Sequence, residues 1–271
     1  MFPIRDQNRT ESFPIFAYGI IAINVLVFLY QANLNPEEER NLIRDFGFKP
    51  AFAVAYFQGE KEIIYREQVL SQDFLGQPVA EVMEMPMRVD FWNSLFPLLT
   101  SLFLHGGIAH LLGNMWFLHI FGDNVEDRLG RVRFLIFYFV AGLAASLAQF
   151  AVSPGSTVPC VGASGAISGV LGAYALIFPH ARVLSVIPLG FFLQLLEIPA
   201  YIFLFIWFGL QVVSGLFSSP GEGGVAWWAH IGGFLAGAAF VKVIPPRGPR
   251  AGRLRGRLGE PRDVPFWHVR E

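Results

Sequence analysis

Six stretches of this chain are apolar over most of a bilayer-spanning length, and nothing constrains its fold more. About 20 consecutive apolar residues cross the hydrocarbon core of a membrane as a helix. The candidate spans are Phe13 to Asn33, Ile108 to Phe121, Phe134 to Val152, Ser164 to Phe178, Ile198 to Phe217 and Trp227 to Ile244. Composition agrees: the chain is 54% hydrophobic and 15% charged, against a charged fraction of roughly 25% in soluble domains. The expected fold is an all-α polytopic membrane bundle of six helices with a long first external loop.

The polar remainder is unevenly placed. Residues 34–93 carry eleven acidic side chains and are too long for a plain connector, so this segment is expected to fold against the membrane surface. Phe91-Trp92 and the stretch Leu95 to Leu104, with Pro97 inside it, look interfacial. Val183 to Leu196 is interrupted by Pro188 and Gly190 and reads as a broken approach to the fifth span. The short loops Ser153 to Val161 and Ser218 to Ala226 hold no Lys or Arg, whereas Arg5 and Arg9, Arg128 to Arg133, Arg182 and a tail with eight basic residues lie on the other side. The positive-inside rule then puts both termini in the cytoplasm. The organisation expected is a segment 1–12, a membrane domain 13–245 with its first external loop at 34–107, and a basic tail 246–271. The first apolar stretch lacks a convincing cleavage site and reads as an uncleaved span. Cys160 is the one cysteine, so no internal disulfide can form.

Ser164 opens the fourth span within Gly162-Ala163-Ser164-Gly165, and His230 lies near the start of the sixth within Ala229-His230-Ile231-Gly232-Gly233. Ionisable or reactive groups at membrane depth are costly unless paired or set in a wet cavity, and so point to function. The topology puts both residues at similar depth on the external side, which makes them natural partners. Gly165 and Gly169, then Gly233 and Gly237, repeat a four-residue spacing that lets helix backbones approach closely. His110 and Asn114, four apart in the second span, share a helix face. An amide there can serve a developing oxyanion or simply join two helices by a hydrogen bond.

This constellation resembles the rhomboid intramembrane serine proteases. The matching residues are His105, His110 and Asn114, then Glu126-Asp127-Arg128-Leu129-Gly130, then Gly162-Ala163-Ser164-Gly165, then Ala229-His230-Ile231-Gly232-Gly233 with Gly237, together covering about residues 95–245. The resemblance implies Ser164 as nucleophile, His230 as general base without a carboxylate partner, and an oxyanion hole including Asn114 and His110. It also implies structural roles for His105, which braces the first external loop, and for Glu126 and Arg128, expected as an ion-paired cap at the end of the second span. His119, His180 and His268 match no motif.

Two positions depart from the family pattern. Ser168 stands where many relatives carry a tyrosine that stacks on the histidine, so Tyr174, a sixth-span aromatic or packing alone must support His230. Phe91-Trp92-Asn93 is only a loose counterpart of the family's Trp-Arg pair. The expected partners are the lipid bilayer and transmembrane protein substrates, admitted by outward tilting of the fifth span around Phe191 and Phe192 and lifting of Ser218 to Ala226. No metal cluster, phosphate loop or nucleotide motif competes, so no cofactor, metal or nucleic acid is expected. The prokaryotic plasma membrane is the expected location. A non-catalytic rhomboid-like protein that binds and routes membrane clients is the main alternative, with a small transporter more distant.

Overall fold

The computed structural model describes residues 1–8, 10–72, 78–189, 192–218 and 224–248. Arg9, Phe191, His268, most of the loop Ser218 to Ala226 and nearly all of the basic tail therefore lie outside the described residues.

A strand, β1 (Phe2–Asp6), leads into α1 (Ile15–Ala32). α2 (Pro36–Phe46) starts where Asn35 accepts the Glu37 and Glu38 N–H groups and Glu38 reaches back to the Asn35 N–H, a reciprocal cap. α3 (Pro50–Gln58) begins on a proline and stops at Gly59, whose φ of 75° suits glycine. Next come the antiparallel hairpin β2 (Glu62–Gln72) and β3 (Pro78–Arg88) and two single-turn helices, α4 (Phe91–Ser94) and α5 (Pro97–Thr100). α6 (Ile108–Phe117) passes through a π-helical turn, Leu118–Gly122, into α7 (Asp123–Leu129). α8 (Arg131–Val152) and α9 (Ser164–Ile177) follow, then the hairpin β4 (Arg182–Leu189) and β5 (Phe192–Pro199), α10 (Ala200–Phe217) and α11 (Trp227–Val243).

α9 is the axis of the molecule. Nearly all of it is buried, from Gly165 through Tyr174 and again at Ile177. α8, α10 and α11 surround it, and Leu118 and Phe121 of the π-helical turn pack beside it with Phe134, Phe137 and Phe203 in one core. The surrounding helices show large apolar side chains outward: Leu26 and Tyr30 on α1, Val132 and Ile136 on α8, Phe205 and Leu210 on α10. Contiguous exposed apolar faces of this kind mark a surface that meets lipid. Among the described residues three helices, α1, α8 and α10, are long and apolar enough to cross a membrane, and the chain is an integral membrane protein.

The structure corrects an all-helical expectation. Val183 to Leu196 is not a broken helical approach but the β4–β5 hairpin, to which β1 adds antiparallel as a third strand. β-branched and leucine residues around Pro188 favour this extended form, and the proline sits near the turn, where its missing N–H matters least. The fifth span, expected from Ile198, begins as a helix only at Ala200, and the bulky stretch Phe192–Pro199 before it is a strand. Residues 34–93 form α2, α3 and the β2–β3 hairpin. They also dock on the loop before α9: Phe48 and Cys160 exchange backbone hydrogen bonds, and the Ala51 N–H donates to the Ser156 carbonyl.

Candidate active site

Ser164 is the first residue of α9, and no side chain among the described residues caps that end. The first N–H groups of a helix have no partner within it, so they stay available beside the serine together with the positive end of the helix dipole. A helix of 14 residues is about 21 Å long, well short of the ~30 Å hydrocarbon core. The neighbouring α8 has 22 residues. At the start of α9 opens a cavity of about 700 Å³ whose lining includes Ser164, His230, His110, Asn114, Trp207 and Trp227. Among the described residues no Asp, Glu, Lys or Arg lines it.

His230 Nε2 lies 2.8 Å from Ser164 Oγ. Glycine packing makes that approach possible. A Cβ on Gly233 would stand 2.0 Å from the Gly165 carbonyl oxygen, and one on Gly237 1.9 Å from that of Gly169. Gly165 and Gly169 in turn leave no room for a side chain against Ala145 and Ala141 of α8. α9 is thus pressed between α11 and α8 with backbone in contact.

Gly162 serves a different purpose. Its φ is 122°, a conformation that L side chains rarely adopt, and a Cβ there would reach 2.7 Å from the His110 ring. His110 Nδ1 lies 3.4 Å from the Gly106 N–H, which donates to it. Its Nε2 then carries the hydrogen. Asn114 Nδ2 donates to the His110 carbonyl at 3.0 Å and keeps a second hydrogen for another acceptor.

Two polar partners were not legible in the sequence. Gln211 of α10 presents Oε1 2.7 Å from His230 Nδ1. Gln31 of α1 brackets His105 through a reciprocal pair, donating to its carbonyl and accepting from its N–H, both at 3.1 Å. The His105 ring stands edge-on to His110 at 5.1 Å. Each glutamine lies in an apolar run remote in sequence from its histidine, so no local spacing could reveal the pairing.

The support of His230 also differs from the family pattern. Ser168 Oγ donates to the Ser164 carbonyl at 2.7 Å. Tyr174 is not beside His230 but at the opposite end of α9, where its hydroxyl donates to Asp6 Oδ2 at 2.5 Å. Trp207 lies tilted and Trp227 edge-on to the His230 ring, each with centroids 6.2 Å away. Glu126 and Arg128 form no ion pair among the described residues. Glu126 instead accepts the Phe16 and Ala17 N–H groups at the start of α1, because uncapped helix N-termini attract carboxylates. Arg128 lies over the Phe178 ring, and its carbonyl accepts from the Arg247 N–H.

The chain is similar to known proteins over much of its length. A family model described as Rhomboid domain matches residues 92–247. The chain is 38% identical over 260 residues to Rhomboid protease GluP of Bacillus subtilis, covering 93% of this chain and 40% of that protein. It is 34% identical over 108 residues to the mitochondrial Rhomboid protein 1 of Saccharomyces cerevisiae, covering 37% of this chain and 30% of that one. With the mitochondrial presenilin-associated rhomboid-like protein of Homo sapiens it shares 26% identity over 247 residues, 88% of this chain and 49% of that one. The chain thus spans half or less of the length of these three relatives. On the family match and the extent of the similarity to GluP, this chain belongs to the rhomboid family.

Proposed function

We propose that this chain is an intramembrane serine endopeptidase with Ser164 as nucleophile and His230 as general base. The observation that carries the reading is the 2.8 Å contact between Ser164 Oγ and His230 Nε2 in a cavity with no charged lining among the described residues. A serine hydroxyl is a weak nucleophile until a base takes its proton. His230 Nε2 accepts that proton as Oγ bonds to the scissile carbonyl carbon, whose π electrons move onto oxygen. Collapse expels the amine, which takes the proton from His230, and leaves an ester on Ser164. A water molecule then attacks the ester, giving its proton to His230. The carboxylic acid leaves and the proton returns to Oγ.

The oxyanion formed in each half-reaction is stabilised by the Ser164 N–H, the free hydrogen of Asn114 Nδ2 and the His110 Nε2–H. Such donors act strongly where water is excluded, and losing one typically costs about 100- to 1000-fold in turnover. His105 is structural: Gln31 fixes its backbone, and its ring backs His110. Gly162, Gly165, Gly169, Gly233 and Gly237 are structural as well, because a Cβ would meet the His110 ring at Gly162, alanine Cβ atoms of α8 at Gly165 and Gly169, and α9 backbone at Gly233 and Gly237. Glu126 and Arg128 hold the opposite end of the bundle.

The bundle crosses the bilayer six times, through α1, α6 with its π turn, α8, α9, α10 and α11. Both termini face the cytoplasm, in keeping with the Arg and Lys distribution, and a bacterial plasma membrane is the proposed location. Residues 1–12 and 246–271 are the cytoplasmic ends, and 34–107 form an external module that steadies the loop before α9. The substrates are transmembrane segments of other proteins that enter from the lipid side, since hydrolysis at this depth needs an extended backbone. The protease names of bacterial relatives such as GluP support this class.

The test is cleavage of a labelled model transmembrane substrate by purified protein, comparing the native chain with Ser164→Ala and His230→Ala. Loss of cleavage in both variants, with the fold intact, is expected. Cleavage that survives Ser164→Ala would sink the mechanism, and no cleavage by the native chain would favour a client-binding role.

A further inference from the structure

Among the described residues no carboxylate orients the base of the dyad, and α11 supplies none: its residues around His230 are Trp, Ala, Ile and Gly. We propose that Gln211 is the positioning residue for His230, and that it holds the base from a different helix, α10. The inference rests on the reading of Ser164 and His230 given above.

The direction of the amide follows from its two contacts. Gln211 Nε2 donates to the Trp207 carbonyl at 3.4 Å, which turns Oε1 toward the His230 ring, 2.7 Å from Nδ1. A carbonyl oxygen can only accept. Nδ1 therefore carries the hydrogen, and Nε2 is left with the lone pair that faces Ser164 Oγ at 2.8 Å. The opposite tautomer would point a hydrogen at the serine and could not accept its proton.

Gln211 also strengthens the imidazolium that forms when Nε2 takes the proton, because the Oε1 dipole faces the positive ring. A neutral amide does this without placing a permanent charge at membrane depth, where a carboxylate would be expensive. That fits a cavity with no charged lining among the described residues. The other titratable side chain in this lining besides His230 and Cys160 is His110, across the cavity on α6.

The placement of Gln211 ties the base to α10 itself. Most of this helix faces outward, with Phe205, Leu210, Val213 and Leu216 exposed, while Leu204, Gln211 and Gly215 form its buried stripe. At Gly215 the helix closes on Trp227, where an added Cβ would come within 3.3 Å. A shift of α10 by about 1 Å away from α11 would stretch the 2.7 Å contact beyond hydrogen-bond range. His230 is thus held in its reactive tautomer only while α10 is seated.

The experiment uses the full chain in detergent or lipid nanodiscs with a labelled transmembrane substrate. Gln211→Leu should lower kcat by roughly 10- to 100-fold with KM within about twofold, a smaller loss than the ~10⁴ seen when a charged orienting group is replaced. Gln211→Glu restores an acceptor at Nδ1 even as a neutral carboxyl, through its C=O, so it should recover most of kcat relative to Gln211→Leu. Native kcat in a folded Gln211→Leu protein, or a Gln211→Glu protein that is folded yet no more active than Gln211→Leu, would overturn the proposal.

A second measurement is independent of turnover and of whether the leucine variant folds. Nitrogen NMR of the native chain labelled at histidine should find His230 protonated at Nδ1 and bare at Nε2, and protonation at Nε2 instead would overturn the proposal. Failure of the dyad itself shows differently, as cleavage that persists in Ser164→Ala.

Discussion

The Gly165 carbonyl oxygen occupies the space where a Cβ on Gly233 would stand, only 2.0 Å from it. Backbone rather than side chain fills the gap between α9 and α11, so the contact cannot relax by a rotamer change. Gly233→Ala must therefore push the helices apart and carry His230 away from Ser164. Overpacking of this kind costs roughly 1–3 kcal/mol and more where backbone must move. The expected outcome is a lower Tm by several degrees and loss of substrate cleavage, read by thermal unfolding in detergent and by gel assay. Gly209→Ala serves as the control, because nothing lies within 4 Å of its added Cβ.

Asn114→Ala removes the side-chain amide but leaves the His110 carbonyl within its helix. Turnover should fall by about 100-fold or more, with KM little changed, because in the proposed mechanism the lost hydrogen bond is made to the oxyanion and not to the ground state. Steady-state kinetics on the model substrate check this. A raised KM with native kcat would assign Asn114 to uniform substrate binding.

Far from the serine, Asn124 Nδ2 donates to both Asp6 Oδ2 at 2.9 Å and Asp123 Oδ1 at 2.8 Å. Burial pushes the Asp6 carboxyl up to about 6, and burial with the nearby Asp6 charge pushes Asp123 up to about 7. A carboxyl held higher in the folded chain than in the unfolded one binds its proton preferentially when folded. Its stabilising contribution is therefore present at low pH and is lost as pH rises from about 4 through 7. Buried His105, pushed down to about 4, acts in the opposite sense between about 4 and 6.5, so only a difference isolates the carboxyls. Asp123→Asn should gain Tm relative to the native chain as pH goes from 5 to 8. Equal Tm differences at both pH values would show that Asp123 titrates normally.

Glu126→Ala removes both acceptors from the first turn of α1. A lost helix cap costs about 1–2 kcal/mol, and the penalty should appear as a lower Tm with substrate cleavage nearly native. A large fall in kcat at native Tm would mean that Glu126 acts on the site rather than on α1.

The helices and the polar residues of the site could be read along the chain because both are local signals. Long apolar runs demand helices in lipid, and Ser164, His230 and Asn114 stood out as polar groups within such runs. Gly233 and Gly237 were legible by their spacing, although that spacing could not say that each faces a carbonyl oxygen of α9. The β4–β5 hairpin was missed because an apolar stretch broken by Pro188 looks the same whether it ends a helix or turns a hairpin. Glu126 was placed with the wrong partner for a related reason: a carboxylate beside an arginine suggests an ion pair, while the N-terminus of α1 lies about 110 residues away along the chain.

What the sequence determined by itself was the membrane character of the chain, the helical runs and the chemical types gathered in the site, all of which follow from residue identity and short-range periodicity. Tertiary structure alone decided which distant groups meet. It brought Gln211 to His230, Gln31 to His105 and Glu126 to α1. Hydrogen bonds between separate helices depend on how the bundle packs, and packing is set by the fit of whole helix faces rather than by any spacing within one of them.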